Sequence, residues 1–209
     1  MGASASPAET PLFPLHMVLF PGGLLRLKVF EARYLDLMGE CLRERRPFGV
    51  VTLIGGSEVA GREDAVRFEG VGTMAELLGV DSERQGILLV RARGTQRFRV
   101  DASHRRTDGL WVAHTELLAD DEHVAPDAAL TASVRGLASA IASMKAQNSE
   151  PFLEPFCFDD SGWVANRWCE ILPIPQAARH KLMALPDPML RLRLVDDYLR
   201  SKGVITPQN

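Results

Sequence analysis

Two glycine-containing segments of this chain have residue types and spacings that are typical of phosphate-binding loops. Gly56 and Gly61 have the G-x-x-x-x-G spacing of a phosphate-binding loop, in which backbone N–H groups surround the phosphates. The next two positions require Lys and then Ser or Thr, but the chain has Arg62 and Glu63 there. Because the Mg²⁺-binding hydroxyl is missing and carboxylates stand nearby, the pattern predicts a surface loop.

A second glycine motif, Gly70 to Ala75, fits the G-x-G-x-x-A pattern of dinucleotide-binding loops. Such a site also needs a helix directly after the glycines and an acidic residue roughly 20 residues further on. Arg91 and Arg93 stand at about that distance. The motif therefore favours a strand with a bulge.

Catalytic and metal-ligating patterns give no positive prediction. The five histidines do not form H-x-x-x-H or H-E-x-x-H, and the sequence contains no G-x-S-x-G nucleophile motif. Ser143 and Lys145 are close in sequence, but S-x-K spacing in an Ala-rich helix directs them to different faces. We therefore predict no catalytic residue, no metal site and no cofactor.

Arginines are concentrated between positions 84 and 106, where Asp101 is the one acidic residue. In strands, Arg91 and Arg93 share a face, as do Arg97 and Arg99. A basic strand face could bind RNA, although the single Phe98 is not the aromatic platform that base stacking prefers. The competing interpretation is a solvated outer face whose arginines pair with acids elsewhere. The candidate acids are Glu58, Glu63 and Asp64.

The bulk composition is that of an ordinary globular protein of one large or two small domains. The chain has 209 residues, 46% hydrophobic and 24% charged, and a net charge of -3. The three cysteines, Cys41, Cys157 and Cys169, form no C-x-x-C pair, which predicts reduced thiols in a cytoplasmic protein. No apolar run reaches the roughly 18 residues of a spanning helix, so no membrane association is expected.

Hydrophobic periodicity predicts a strand-rich first half. Residues 25 to 29 alternate as a strand, and Tyr34, Leu37, Met38, Cys41 and Leu42 recur at helical spacing. Short apolar segments around Leu12 and Met17 are predicted to lie between turns. Further strands are predicted at 48–54, 66–69, 72–78, 87–93, 96–100 and 110–118. About six short strands and one helix predict a closed or nearly closed β-barrel.

Helical patterns follow the composition shift at Asp120-Asp121-Glu122. Predicted helices span 128–147, 162–172 and 176–185, and a fourth begins after Asp187-Pro188, a good N-cap before a proline. Gly203 is expected to end it. The sequence thus predicts a helical bundle after the strands.

Several blocks, in order and spacing, resemble the stand-alone form of the N-terminal substrate-binding domain of the Lon protease. They are Leu12-Phe13-Pro14-Leu15, Leu19-Phe20-Pro21-Gly22-Gly23, Val29-Phe30-Glu31-Ala32-Arg33-Tyr34, Phe48-Gly49-Val50-Val51, Val71-Gly72-Thr73-Met74-Ala75 and Gly94-Thr95-Gln96-Arg97-Phe98-Arg99-Val100. Ala32 replaces the proline usual in the family, and 81–86 replaces its usual Pro-Asp-Gly hairpin. The resemblance covers about residues 10 to 200.

The resemblance implies an α+β fold: a PUA-like β-barrel with one inserted helix, then a C-terminal helical bundle. The expected organisation is a disordered tail at 1–9, the barrel at 10–120, the bundle at 121–203 and a tail at 204–209. The ATPase and Ser–Lys peptidase motifs of Lon are absent, so the expected role is non-enzymatic binding of unfolded or tagged polypeptides, or of a protease or chaperone partner. The alternative is RNA or nucleotide binding by the basic strands.

The residues that carry the resemblance are expected to build the scaffold. They are Phe20, Pro21, Gly22, Phe30, Glu31, Arg33, Tyr34, Gly49, Gly72, Gly94, Arg97 and Phe98. Glu31 suits a helix N-terminus, and Arg33 is a candidate partner for a carboxylate. A peptide site would be an exposed apolar groove with a polar rim, and the junction of barrel and bundle is the expected place.

Overall fold

The computed structural model describes residues 9–55 and 66–205. The chain divides into two compact units, Met1–Ala119 and Asp120–Asn209. The predicted phosphate-loop segment, the acids Glu58, Glu63 and Asp64, and nearly all of the predicted N-terminal tail lie outside the described residues. The predicted mixed α and β class, with a strand-rich sheet followed by helices, is confirmed.

The first unit consists of seven strands and one helix within its described residues. The elements are β1 (Thr10–Leu15), β2 (Leu24–Val29), α1 (Ala32–Glu44), β3 (Phe48–Gly55), β4 (Arg67–Phe68), β5 (Val71–Arg84), β6 (Ile87–Arg105) and β7 (Trp111–Leu117). The strand order is β1-β7-β6-β5-β3-β4, and β1 also pairs in parallel with β3. Five strands therefore form a closed circuit, β1-β7-β6-β5-β3, while β2 pairs with β6.

The residues around Leu12, predicted only as a short apolar segment between turns, form the strand β1. Leu12 pairs in register with Gly49 of β3 and with Trp111 of β7. Four consecutive β1 residues, from Pro11 to Pro14, are buried. A short strand with both faces covered shows no alternation of apolar and polar residues, so periodicity could not identify it.

The predicted break between two strands at Gly94-Thr95 is also wrong, since β6 runs through it. Gly94 donates its N–H to Gly23 O at 2.9 Å and accepts from Gly22 N–H at 2.8 Å. A Cβ at Gly94 would overlap the carbonyl oxygen of Phe20. The glycine is there for this close backbone approach, and not for a turn.

The predicted loop at 81–86 is mostly strand. β5 continues to Arg84, which pairs with Ile87, so Gln85 and Gly86 alone form the turn. Gly86 has a φ of 78°, the left-handed conformation that glycine adopts without steric strain. The result is a two-residue hairpin between the two longest strands.

Helix α1 covers the main core of the first unit. It begins at Ala32 with Glu31 as its N-cap residue, as the sequence predicts. Tyr34 stacks on Phe13 of β1 with ring centroids 3.9 Å apart. Leu37, Met38 and Cys41 are buried in the same core. Leu42, predicted on this apolar face, is instead 50% exposed.

The second unit contains four α-helices in its described residues. They are α2 (Thr131–Ala146), α3 (Ser161–Ile171), α4 (Gln176–Ala184) and α5 (Pro188–Ser201), and a short 3-10 helix, Ala128–Leu130, precedes α2. The predicted cap of α5 is confirmed, since the Asp187 carboxylate accepts from Leu190 N–H at 2.9 Å. Gly203 follows the last helix with a φ of 67°.

A buried arginine joins the segments of the second unit. The Arg191 guanidinium donates to both carboxylate oxygens of Asp121, at 2.6 and 3.3 Å, and to Asn166 Oδ1 at 2.9 Å. It also donates to the carbonyl oxygens of Leu182, at 2.9 Å, and Leu185. All five of its N–H groups therefore have acceptors, which is what a buried guanidinium requires.

No helix in the described part of the chain combines the length and apolar character that a membrane span needs.

Candidate functional site

A cleft in the first unit lies between the end of α1 and β5. It has a volume of about 420 Å³ and is lined by Cys41, Leu42, Arg45, Arg46, Glu76 and Leu77. We call it the α1–β5 cleft. β3 pairs with β5 only from Thr73 to Ala75, and β5 continues beyond that point. β3 begins at Phe48, opposite Ala75, so the cleft lies beside the part of β5 that β3 does not pair with, next to the last turn of α1.

One wall of the α1–β5 cleft is apolar. Leu42 is half-exposed on α1, and Leu77 of β5 packs its inner side against the main core. Cys41, between them, is buried, and burial raises the pKa of its thiol to about 11. Since a thiolate is the nucleophilic form, Cys41 is unreactive near neutral pH. The wall therefore offers apolar contact and no nucleophile.

The rim of the α1–β5 cleft is charged. Arg46 donates to Glu40 at 2.5 Å and forms an ion pair with Glu44 at 3.2 Å, and Arg93 donates to Glu76 at 3.1 Å. Arg45 is exposed and makes no ion pair with another described residue. An apolar wall with a charged rim is the chemistry of a groove for a peptide side chain and its polar neighbours.

A second, smaller cavity lies in the second unit beside the segment after α2. It has a volume of about 190 Å³, and its apolar lining includes Ile141, Phe152 and Phe156. Lys145 and Glu154 form a 2.7 Å ion pair at its edge, and the Lys145 Nζ lies 4.8 Å from the Phe156 ring centroid. This hydrogen bond raises the pKa of Lys145 and lowers that of Glu154. The two charges neutralise each other, whereas the rim of the α1–β5 cleft also carries Arg45, which makes no ion pair with another described residue. The larger α1–β5 cleft is therefore taken as the binding candidate.

The predicted basic face is only partly present. Arg93 bonds Glu76 at 3.1 Å, and Arg99 bonds Glu116 at 2.8 Å, both across neighbouring strands. Arg97 is only 4% exposed and donates to Ala119 O at 3.3 Å, so the prediction that it contributes to an exposed basic face is wrong. Arg91 is exposed.

The pairing of β5 with β6 is irregular just before Arg97. The register shifts between Thr73, opposite Arg97, and Ala75, opposite Gly94, so Arg91 and Arg93 are separated by a bulge from Arg97 and Arg99. From Arg97 to Arg99 the pairing is regular, and what distinguishes the buried Arg97 is its contact with Ala119 O. The four arginines therefore do not form one continuous phosphate-binding surface.

Three of the scaffold residues form a single packing unit. Phe98 is fully buried, and its ring lies against the backbones of Gly49 and Gly72 on neighbouring strands. A Cβ added at Gly49 would lie 2.7 Å from this ring, and one at Gly72 would lie 2.5 Å from it. The glycines at these positions leave the space that the ring fills.

The remaining scaffold residues lie around the turn after β1 and the start of α1. Phe20 is buried, and the Pro21-Gly22 turn that follows it has a φ of 73° at Gly22. The Arg33 guanidinium, predicted as a candidate partner for a carboxylate that the sequence did not identify, forms an ion pair with Glu31 at 2.7 Å. Phe30 is 64% exposed. These contacts fix the entry into α1, whose other end forms the cleft.

Histidines and acids do not assemble a metal centre in the part of the chain that the structure describes. His104 and His114 lie 3.6 and 3.9 Å from the Glu9 carboxylate, on the outside of the sheet.

The cleft residues were not predicted as a site. Leu42 fits the apolar helix pattern, and Glu76 looks like an ordinary outward-facing strand residue. The available signal was the basic run at positions 43, 45 and 46 directly before Pro47, which marks a charged helix end.

Comparisons with known proteins identify the family. The sequence model of the ATP-dependent protease La (LON) substrate-binding domain matches residues 9–201. A search of curated proteins finds no match.

Two solved structures have the same fold. The crystal structure of a Lon N-terminal domain protein from Xanthomonas campestris is 31% identical, has a TM-score of 0.69 and covers 91% of this chain and 98% of that chain. The N-terminal domain of Mycobacterium avium complex Lon protease is 14% identical and has a TM-score of 0.61, and the match covers 91% of this chain and 97% of that chain. At this identity the similarity supports the fold alone. The chain belongs to the Lon protease substrate-binding domain family.

Proposed function

We propose that this protein is a non-enzymatic polypeptide-binding module. The observation that carries the proposal is the family match, which extends over residues 9–201 and names a substrate-binding domain. The α1–β5 cleft supports it, because an exposed apolar wall with a charged rim suits peptide side chains. The buried, protonated thiol of Cys41 gives this cleft no nucleophile.

The partners that fit this role are unfolded or tagged polypeptides, or a protease or chaperone with which the module cooperates. The three free cysteines, two of them buried, fit a cytoplasmic site of action. The location of a groove at the junction of the two parts remains a prediction. Nucleic-acid binding is not proposed, since Arg97 is buried and both Arg93 and Arg99 are paired with glutamates.

The test is fluorescence anisotropy of the purified protein with two labelled probes, a permanently unfolded protein and a single-stranded RNA, at low and high salt. Binding of the unfolded protein that persists at high salt is expected, because apolar contacts are not screened. RNA binding that collapses with salt would replace the proposal with a phosphate-binding one. If neither probe binds, general polypeptide binding is excluded.

A further inference from the structure

We propose that the α1–β5 cleft binds an extended polypeptide segment in which a carboxylate follows an apolar side chain. This inference rests on the proposed function and specifies its site and ligand. The apolar side chain contacts Leu42 and Leu77, and the carboxylate pairs with Arg45.

The ion pairs on the rim of the cleft determine which charge a ligand should carry. Arg46 is held by two glutamates, and Glu76 is held by Arg93, so neither is available to a ligand without breaking an ion pair. Arg45 lines the same cleft, is exposed and has no ion pair with any other described residue. The group on the rim that can accept a new partner is therefore a guanidinium, which pairs best with a carboxylate.

The sheet beside the cleft favours an extended chain over a compact ligand. The pairing of β3 with β5 ends at Ala75, and within the described residues no other strand pairs with that side of β5 from Glu76 onward. An extended segment entering the cleft at Glu76 and Leu77 can add main-chain hydrogen bonds along this edge. Backbone bonding of this kind is independent of side-chain sequence, as a binder of diverse unfolded polypeptides requires.

The backbone at Arg45 provides an independent observation. Arg45 has φ 52° and ψ 37°, the left-handed conformation in which glycine is the usual residue after a helix. Glycine at this position would relieve backbone strain and remove the guanidinium from the cleft. Replacing Arg45 by glycine should therefore increase stability and weaken binding, a combination that a merely structural arginine would not give.

The experiment measures anisotropy with three labelled 12-residue Gly-Ser peptides, whose central residues are Leu-Leu-Asp-Asp, Leu-Leu-Asn-Asn or Leu-Leu-Lys-Lys. The wild-type protein should bind the acidic peptide roughly fivefold more tightly than the amide peptide, as expected for an exposed charge pair. Arg45→Glu should reverse the preference toward the lysine peptide, and Leu42→Asp should weaken binding of all three.

Arg45→Gly should shift the urea midpoint upward and abolish the preference for the acidic peptide. Asn148→Gly is the matched control, since Asn148 is the other non-glycine residue with positive φ in the described chain, at 57°. It should shift the midpoint upward and leave peptide binding unchanged. Arg135→Glu controls for net charge at an exposed arginine of the second unit.

The outcomes separate this inference from the proposed function. If the unfolded-protein probe binds the wild type and all cleft variants equally, the polypeptide-binding function stands and the cleft is not its site. If the peptides bind without regard to charge and Arg45→Glu changes nothing, the carboxylate specificity is wrong. If no polypeptide probe binds the wild type, the proposed function itself fails.

Discussion

At the scale of single residues, packing inside the sheet depends on two glycines, whose missing side chains leave room for an aromatic ring. The ring of Phe98 fills space left by two glycines on two different strands, Gly49 of β3 and Gly72 of β5. The two sites differ in what a methyl group would meet. At Gly49 the nearest atoms belong to the side chains of Phe98 and Leu12, whereas at Gly72 they include the backbone oxygen of Val50 at 2.5 Å. Side chains can be shortened by mutation, but a backbone oxygen cannot.

This difference gives the first prediction. Gly49→Ala should lower the free energy of unfolding by about 1–3 kcal/mol, because it overpacks the core against Phe98. In the Phe98→Leu background, Gly49→Ala should lower the free energy of unfolding by about 1 kcal/mol less than it does in the wild type, since the nearest ring atom has been removed. Urea denaturation of the double-mutant cycle measures this coupling.

The control is the same cycle at Gly72. Phe98→Leu should restore less of the stability lost in Gly72→Ala than of that lost in Gly49→Ala, because the Val50 oxygen remains in place. Equal rescue at both positions would contradict the assignment of separate steric partners.

At the scale of elements, the start of α5 is defined by one carboxylate. The exposed Asp187 side chain accepts the Leu190 N–H at 2.9 Å, and Pro188 occupies the first helical turn, where its missing N–H has no cost. Asp187→Ala should lower the free energy of unfolding by about 1 kcal/mol, measured by urea denaturation. Asp197→Ala on the same helix is the control and should leave stability unchanged or slightly raised, because an acid near a helix C-terminus opposes the dipole.

These elements also explain what the sequence could predict. Local sequence was sufficient to predict an element where neighbouring residues form a helix cap or a helical apolar pattern. Asp187-Pro188 and the residues of α1 from Tyr34 to Cys41 are examples. Local sequence failed where a distant segment determines the conformation. Gly94 resembles a turn residue until its hydrogen bonds with Gly22 and Gly23 are known, and Arg97 resembles an exposed strand residue until its contact with Ala119 O is known.

The same reasoning applies to the candidate site. The α1–β5 cleft is formed by residues about 30 positions apart, at 41–46 and 76–77. Its existence depends on β3 beginning opposite Ala75 and leaving the rest of β5 unpaired on that side, which is a property of the strand pairing. The family resemblance identified the class of domain, but no local pattern distinguishes Leu42 or Arg45 from ordinary helix residues.

At the scale of the whole molecule, we propose that residues 120–209 fold as an independent domain. The ion pair that joins its first residues to its last helix is internal to this unit, since Asp121 and Arg191 both belong to it. Arg191 is 1% exposed, and removing one partner of a buried ion pair leaves a charge without compensation. The start of the domain is therefore set by Asp121 and not by the first helix.

A pair of fragments tests this boundary. The 120–209 fragment should fold cooperatively with a helical circular dichroism spectrum, whereas the 123–209 fragment should be about 3–5 kcal/mol less stable or unfolded, because it lacks Asp121. Asp121→Asn in the longer fragment should reproduce most of this loss, while Asp120→Asn, at an exposed position, should not. Equal urea midpoints for the two fragments would show that the Arg191–Asp121 pair does not hold the domain together. An unfolded 120–209 fragment would show that the helices depend on the strand-rich unit, because their own buried contacts would then be insufficient to offset the chain entropy.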